Sequence, residues 1–236
     1  MSTKTWDKFD FGAVAFKEPT KNTLGGMNVY CDTSAEQKSN PTFQLPRMRV
    51  PFGPDRNEQS QSTRLNLELS VEDPAFFSTI QAWDERVLKE AAQQSKTWFG
   101  KSYSIEKIKD QEMYRHSIQG DMQGKYPPLF RLKLATEGKK VPKIYILERD
   151  ENGKETWKNG SIKDVEKGAF VTPIAEISGL WFVSKKGFGC GYVASHILVE
   201  KTQREESFPF IGVGSISESS SSAPMDVDAY TSDLIE

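Results

Sequence analysis

Residues 181–192 read WFVSKKGFGCGY, with four aromatic rings, two lysines and three glycines in one short stretch. Phe182 and Val183 read as the end of a buried strand, and Ser184–Gly191 as a turn. The segment that follows, YVASHILVE at 192–200, reads as a second strand. Gly187, Gly189 and Gly191 form GxGxG. A dinucleotide-binding turn needs GxGxxG between a strand and a helix, and a phosphate-binding P-loop ends in Gly-Lys followed by Ser or Thr. Here the lysines precede the glycines and a strand follows them, so both readings fail. The stretch is the tip of a β-hairpin, and strand–turn–strand in this place argues for a sheet built from runs of strands. On this reading Lys185, Lys186 and Phe188 are exposed, while Trp181 faces either core or solvent.

Working outward, the same pattern recurs. Leu129–Ala135 alternates Phe130, Leu132 and Leu134 against Arg131 and Lys133, and Lys143–Arg149 follows in the same style. Arg64–Ser70 sets Leu65, Leu67 and Leu69 against Arg64, Asn66 and Glu68. Phe9–Phe16, Met27–Asp32 and Phe43–Val50 are further strand candidates, the last interrupted by Pro46 and therefore an edge strand. Asn152-Gly153 and Asn159-Gly160 mark turns, and 120–128 reads as a loop.

One long helix interrupts the strands. Asp73 suits its cap and Pro74 its first position. Phe76, Ile80, Trp83, Val87 and Ala91 then recur at spacings of four, three, four and four, a single apolar stripe that must lie on a sheet. A shorter helix is predicted over 104–113. The fold class is a β-rich α+β domain.

The net charge of −2 conceals an asymmetry. Seven of the 33 acidic residues lie in 205–236, which has no Lys or Arg. The 204 residues before it hold 26 acids against 31 bases, a net of +5. The chain thus divides into a mildly basic domain, 1–204, and a Ser-rich acidic tail, 205–236, too polar to offset chain entropy and expected to be disordered. Its end, MDVDAYTSDLIE, mixes Asp226, Asp228, Asp233 and Glu236 with Met225, Val227, Tyr230, Leu234 and Ile235. That is the composition of a partner-docking peptide, and equally of a solubilising tail. There is no apolar run of membrane-spanning length, so no membrane is expected. Cys31 and Cys190 are the only cysteines and read as reduced thiols.

Enzymatic chemistry finds few groups to work with. His116 and His196 are the only histidines, no Cys/His cluster has metal-ligand spacing, and HExxH and GxSxG are absent. Neither a cofactor nor a metal is called for. Cations interleaved with aromatics are plentiful instead, the two devices that hold a nucleic-acid strand. Arg131 and Lys133 face outward on one predicted strand, and Lys143 and Tyr145 on another. Trp181, Lys185, Lys186 and Phe188 cluster at the hairpin, and the run RMRVPFGPDR adds Arg47, Arg49 and Arg56. No zinc finger, basic heptad helix or clear helix-turn-helix is present, so backbone contact plus stacking on a single strand fits better than base-specific reading of a duplex.

A basic β-rich domain with a helix at 73–96, a terminal hairpin GLWFVSKKGFGCGYVASHILVEK and an acidic tail resembles the single-stranded-DNA-binding proteins of phage and viral replication. The resemblance implies an OB-like antiparallel barrel with an inserted helix. It implies single-stranded DNA as the partner in replication or recombination, bound without catalysis. It also implies a tail whose acids, here Asp226, Asp228, Asp233 and Glu236, compete with DNA and dock a polymerase or helicase. An intracellular location follows, in the host nucleus or a cytoplasmic virus factory for a viral protein, and a homodimer stays open. This chain ends Leu234-Ile235-Glu236, without the terminal aromatic common in such tails. A viral structural or scaffold protein with a β-sandwich core would show the same strand pattern.

Overall fold

The computed structural model describes residues 3–22, 26–54, 64–149, 153–183 and 187–200. Seven short strands come first: β1 (Lys4–Thr5), β2 (Ala15–Phe16), β3 (Thr20–Lys21), β4 (Met27–Val29), β5 (Cys31–Asp32), β6 (Thr42–Gln44) and β7 (Met48–Arg49). The strand predicted over 9–16 is mostly turn, although Phe9, Phe11 and Val14 still enter the core. Pro46, which has no N–H to give a ladder, falls between β6 and β7; the edge-strand expectation is corrected, since β6 lies between β1 and β14 and β7 between β14 and β8. β8 (Arg64–Ser70) has the predicted bounds, with Leu67 and Leu69 fully buried.

Asp73 caps α1 (Pro74–Gln93), its carboxylate accepting from the backbone N–H of Ala75 at 2.8 Å and Phe76 at 3.3 Å. A cap of this kind contributes about 1 kcal/mol. The predicted stripe of Phe76, Ile80, Trp83, Val87 and Ala91 is buried throughout. α2 (Ser95–Phe99) ends at Gly100 in the left-handed conformation, and α3 (Ile105–Asp110) is capped by Ser104. Then come β9 (Tyr114–Arg115), β10 (Ile118–Gln119), β11 (Leu129–Ala135), β12 (Lys143–Arg149) and β13 (Glu155–Asn159). Two strands of 14 residues close the order, β14 (Phe170–Val183) and β15 (Gly187–Glu200).

Among the described residues, all strands but β2 and β5 belong to one sheet. Its pairings form a closed circuit: β14 to β7, β7 to β8, β8 to β11, β11 to β15, and β15 back to β14. The expectation of an antiparallel sheet is corrected. β15 runs parallel to β9, β11 and β12, and β1 runs parallel to β6. The 14 residues of β15 give room for several strands along its two edges. One edge is filled by β14, and the other accepts β9 at Phe188–Gly189, β11 at Val193 and β12 at His196–Val199. Register shifts between Ile174 and Ala175 and between Ile177 and Gly179 bend the long β14–β15 ribbon, as bulges do.

The predicted turn over 184–191 is also corrected. β14 continues to Val183 and β15 begins at Gly187, so Gly187–Gly191 are strand residues.

Candidate nucleic-acid interface

That correction fixes the phase of β15. Phe188 and Tyr192 point inward, while Gly189 and Gly191 lie on the outer face. Trp181 is the cross-strand partner of Gly189. A Cβ added to Gly189 would stand 2.8 Å from Trp181 Cζ2 and 3.1 Å from the Arg115 carbonyl, and one on Gly191 would stand 3.7 Å from Trp181 Cδ1. The indole therefore lies across a shelf of bare backbone, half-buried, with room only for hydrogen at Gly189. Gly187 has a different need: its φ is +89°, and a Cβ there would run into the Met113 carbonyl. GxGxG thus reflects close packing of strand, ring and β9.

Around the indole lies a cleft of about 170 Å³ lined by Asn66, Arg115, Gln119, Lys133, Trp181 and Gly191, among others. β8, β9, β10, β11, β14 and β15 each bring a side chain or backbone to it. The Arg115 guanidinium carbon is 6.0 Å from the Trp181 ring centre, within cation–π range. Arg131, also on the cleft, donates Nε and Nη2 to Glu68 Oε1, at 3.1 and 2.5 Å. Lys133 is half-buried and, among the described residues, has no acidic partner. Burial first, then the charges of Arg64 and Arg131, pull its ammonium below the usual lysine range. Burial leads this cost and the neighbouring positive charges add to it, so an anion placed beside the ammonium would favour its charged form.

The wall behind the cleft is tied down by Asp84 of α1, 2% exposed. Its carboxylate accepts from the Tyr114 hydroxyl at 2.7 Å, the Ser117 N–H at 2.8 Å and the Ser117 hydroxyl at 2.6 Å. Ser117 Oγ is also 2.8 Å from the Tyr192 hydroxyl. Burial first, and the Asp84 charge next, push the Tyr114 phenol well above its ordinary value. His116 Nδ1 lies 3.3 Å from Asp84, and that hydrogen bond leads the causes raising the His116 pKa. This network holds the β9–β10 turn, and with it Arg115 and Gln119, in place.

The predicted site residues divide. Arg131, Lys133 and Trp181 meet at the cleft. Lys143 and Tyr145 lie farther along the same outer face, Lys143 in register with His196 of β15. Arg47 precedes β7 and Arg49 ends it, at the other end of β14. Arg47 stacks 3.6 Å over the Phe170 ring and pairs with Glu200 at 2.8 Å, and Arg49 is exposed. Phe188 is a correction: it is 0% exposed, stacked on Phe182 at 5.2 Å and packed on Phe99 and Tyr114, so it cannot meet a base. Lys185, Lys186, Arg56 and the tail acids Asp226, Asp228, Asp233 and Glu236 lie outside the described residues. Sequence reasoning missed Asn66, Gln119 and Arg115 as cleft residues. The alternation of β8 placed Asn66 on the right face, but nothing local linked it to Trp181.

No protein-family model matches this chain, and no curated protein sequence does. Among solved structures it is similar to the single-stranded DNA-binding protein of bacteriophage Enc34 in complex with ssDNA. That match has 13% identity and a TM-score of 0.40, covering 79% of this chain and 96% of the other. It is also similar to gp2.5, a single-stranded DNA binding protein encoded by bacteriophage T7. Here the identity is 9% and the TM-score 0.43, covering 83% of this chain and 100% of the other. At scores this low the likeness carries no weight for the ligand, which rests on the residues of the cleft.

Proposed function

We propose that this chain binds single-stranded DNA without strong sequence preference, in replication or recombination, and does so without catalysing a reaction. The observation that carries this reading is the cleft. A half-exposed indole lines it together with Arg115 and Lys133, neither of which has an acidic partner among the described residues. Cations supply phosphate neutralisation and the ring supplies a stacking surface for any base, which is the economy of sequence-tolerant single-strand binding.

The closed circuit of β14, β7, β8, β11 and β15, with the helices α1–α3 between β8 and β11, supports an OB-like barrel. Arg131, Lys133, Trp181, Lys143 and Tyr145 bind the strand on its outer face. Lys185, Lys186, Arg47 and Arg49 extend the positive field. The tail, 205–236, carries charge opposite to that of the domain. Its acids Asp226, Asp228, Asp233 and Glu236 compete with DNA for these cations and dock a polymerase or helicase. Fluorescence anisotropy with a labelled oligothymidine across salt concentrations tests the reading. The expected result is binding that weakens with salt, by about 0.7 log units per log unit for each phosphate contact. Absence of binding at low salt would end it.

A further inference from the structure

The outer face of β15 does not stop at the cleft. Beyond Gly191 its outward residues are Val193, His196 and Leu198, and the neighbouring strands continue the row. Lys133 of β11 is in register with Val193, Lys143 of β12 with His196, and Tyr145 of β12 with Leu198. At the far end stands Trp157 of β13, which is 65% exposed. Its ring centre is 5.1 Å from that of Tyr145, edge to face, and Tyr145 lies nearly parallel to His196 at 6.3 Å. An exposed Trp held edge to face by a second ring, with Lys143 on the same face of β12, offers a flat apolar surface of the kind on which a base stacks.

We infer that Trp157, Tyr145 and His196 form a second base-stacking platform, reached by a strand that leaves Trp181 and runs along β15 past Lys133 and Lys143. This rests on the reading of the Trp181 cleft as a single-strand site. Three observations favour nucleic acid here over a protein partner. The face is continuous with that cleft along one strand. Cations in register, Lys133 and Lys143, lie between the two aromatic ends. Among the described residues, two acids of β12 and β13 are engaged, Glu155 by Arg149 at 2.8 Å and Glu148 by Lys158. From Gly189 to Leu198 the strand spans about 30 Å at a rise of about 3.3 Å per residue. The platform therefore serves only oligonucleotides long enough to reach it.

The test compares Trp157→Ala with Trp181→Ala on oligothymidines of increasing length, by anisotropy, using the full chain. Trp181→Ala should weaken binding of every length. Trp157→Ala should leave the shortest bound oligonucleotides unaffected and weaken long ones by about 5- to 150-fold, the loss expected for one stacked base. Trp157→Phe should restore most of that loss. Equal binding by wild type and Trp157→Ala at all lengths would overturn the platform while leaving the cleft intact. Failure of Trp181→Ala to matter would count against the cleft itself. A Trp157→Ala chain whose sedimentation changes while its DNA affinity does not would assign the face to a second copy of the chain, again overturning the inference.

Discussion

Lys133→Met separates binding from folding. In the protein Lys133 is half-buried between the positive charges of Arg64 and Arg131, and its ammonium is held below the usual lysine range. A depressed lysine pKa means the folded state binds its proton less tightly than the unfolded chain does. The charged side chain therefore costs stability wherever it is protonated in both states. Methionine keeps most of the volume and removes the charge, so the melting temperature should hold or rise. DNA binding should move the other way. Losing a charge-assisted contact of about 1.5–3 kcal/mol weakens binding about 10- to 150-fold at low salt. Losing one phosphate contact lowers the slope of log affinity against log salt by about 0.7. A pH series adds a signature: wild-type affinity falls as pH rises through the lowered Lys133 value, and the variant lacks that step. Anisotropy and thermal melts on the same samples read all three. A variant that binds normally with an unchanged salt slope refutes the role in binding. One that melts markedly lower refutes the claim that the charge is strained.

Three further outcomes follow from the geometry. Phe188→Ala should cost about 3–5 kcal/mol in denaturant unfolding, because the ring fills an aromatic core, while the folded fraction binds DNA normally; a selective loss of binding would contradict its burial. Gly189→Ala forces its Cβ against Trp181 and the Arg115 carbonyl, so it should cost about 1–3 kcal/mol and weaken DNA binding by displacing the indole; unchanged affinity would mean that the ring is not part of the site. The raised His116 pKa makes its pair with Asp84 stabilising below the ordinary histidine value of about 6.5. That contribution is lost as pH rises through the raised folded value. His116→Gln should flatten the melting temperature over that window, and an unaltered pH profile would show that the pair contributes nothing.

How much of this was legible in the sequence depended on whether the pattern was local. β8, β11 and β12 were readable to the residue, since Leu65–Leu69, Phe130–Leu134 and Lys143–Arg149 alternate cleanly. The stripe on α1 was readable for the same reason. β13 was missed: ETWKN is exposed at every position and sits at the end of the sheet order, so it carries no buried periodicity. Phe188 was misplaced because glycine favours turns by propensity. Three glycines in five residues looked like a loop, whereas they are strand residues whose missing side chains admit Trp181 and β9. Asp84 lies between Trp83 and Glu85, where a charged residue reads as solvent-facing. Its burial depends on Tyr114 and Ser117, 30 and 33 residues away. The parallel pairings of β15 are non-local in the same way.

On the proposed function, single-stranded DNA lies in the cleft around Trp181. Photocrosslinking with an oligonucleotide carrying bromodeoxyuridine, followed by mass spectrometry of the peptides, tests it most directly. Crosslinks are expected on the peptide that carries Trp181, suppressed at high salt. Crosslinks confined to other exposed rings, such as Tyr30 or Phe52, with none at Trp181, would contradict it.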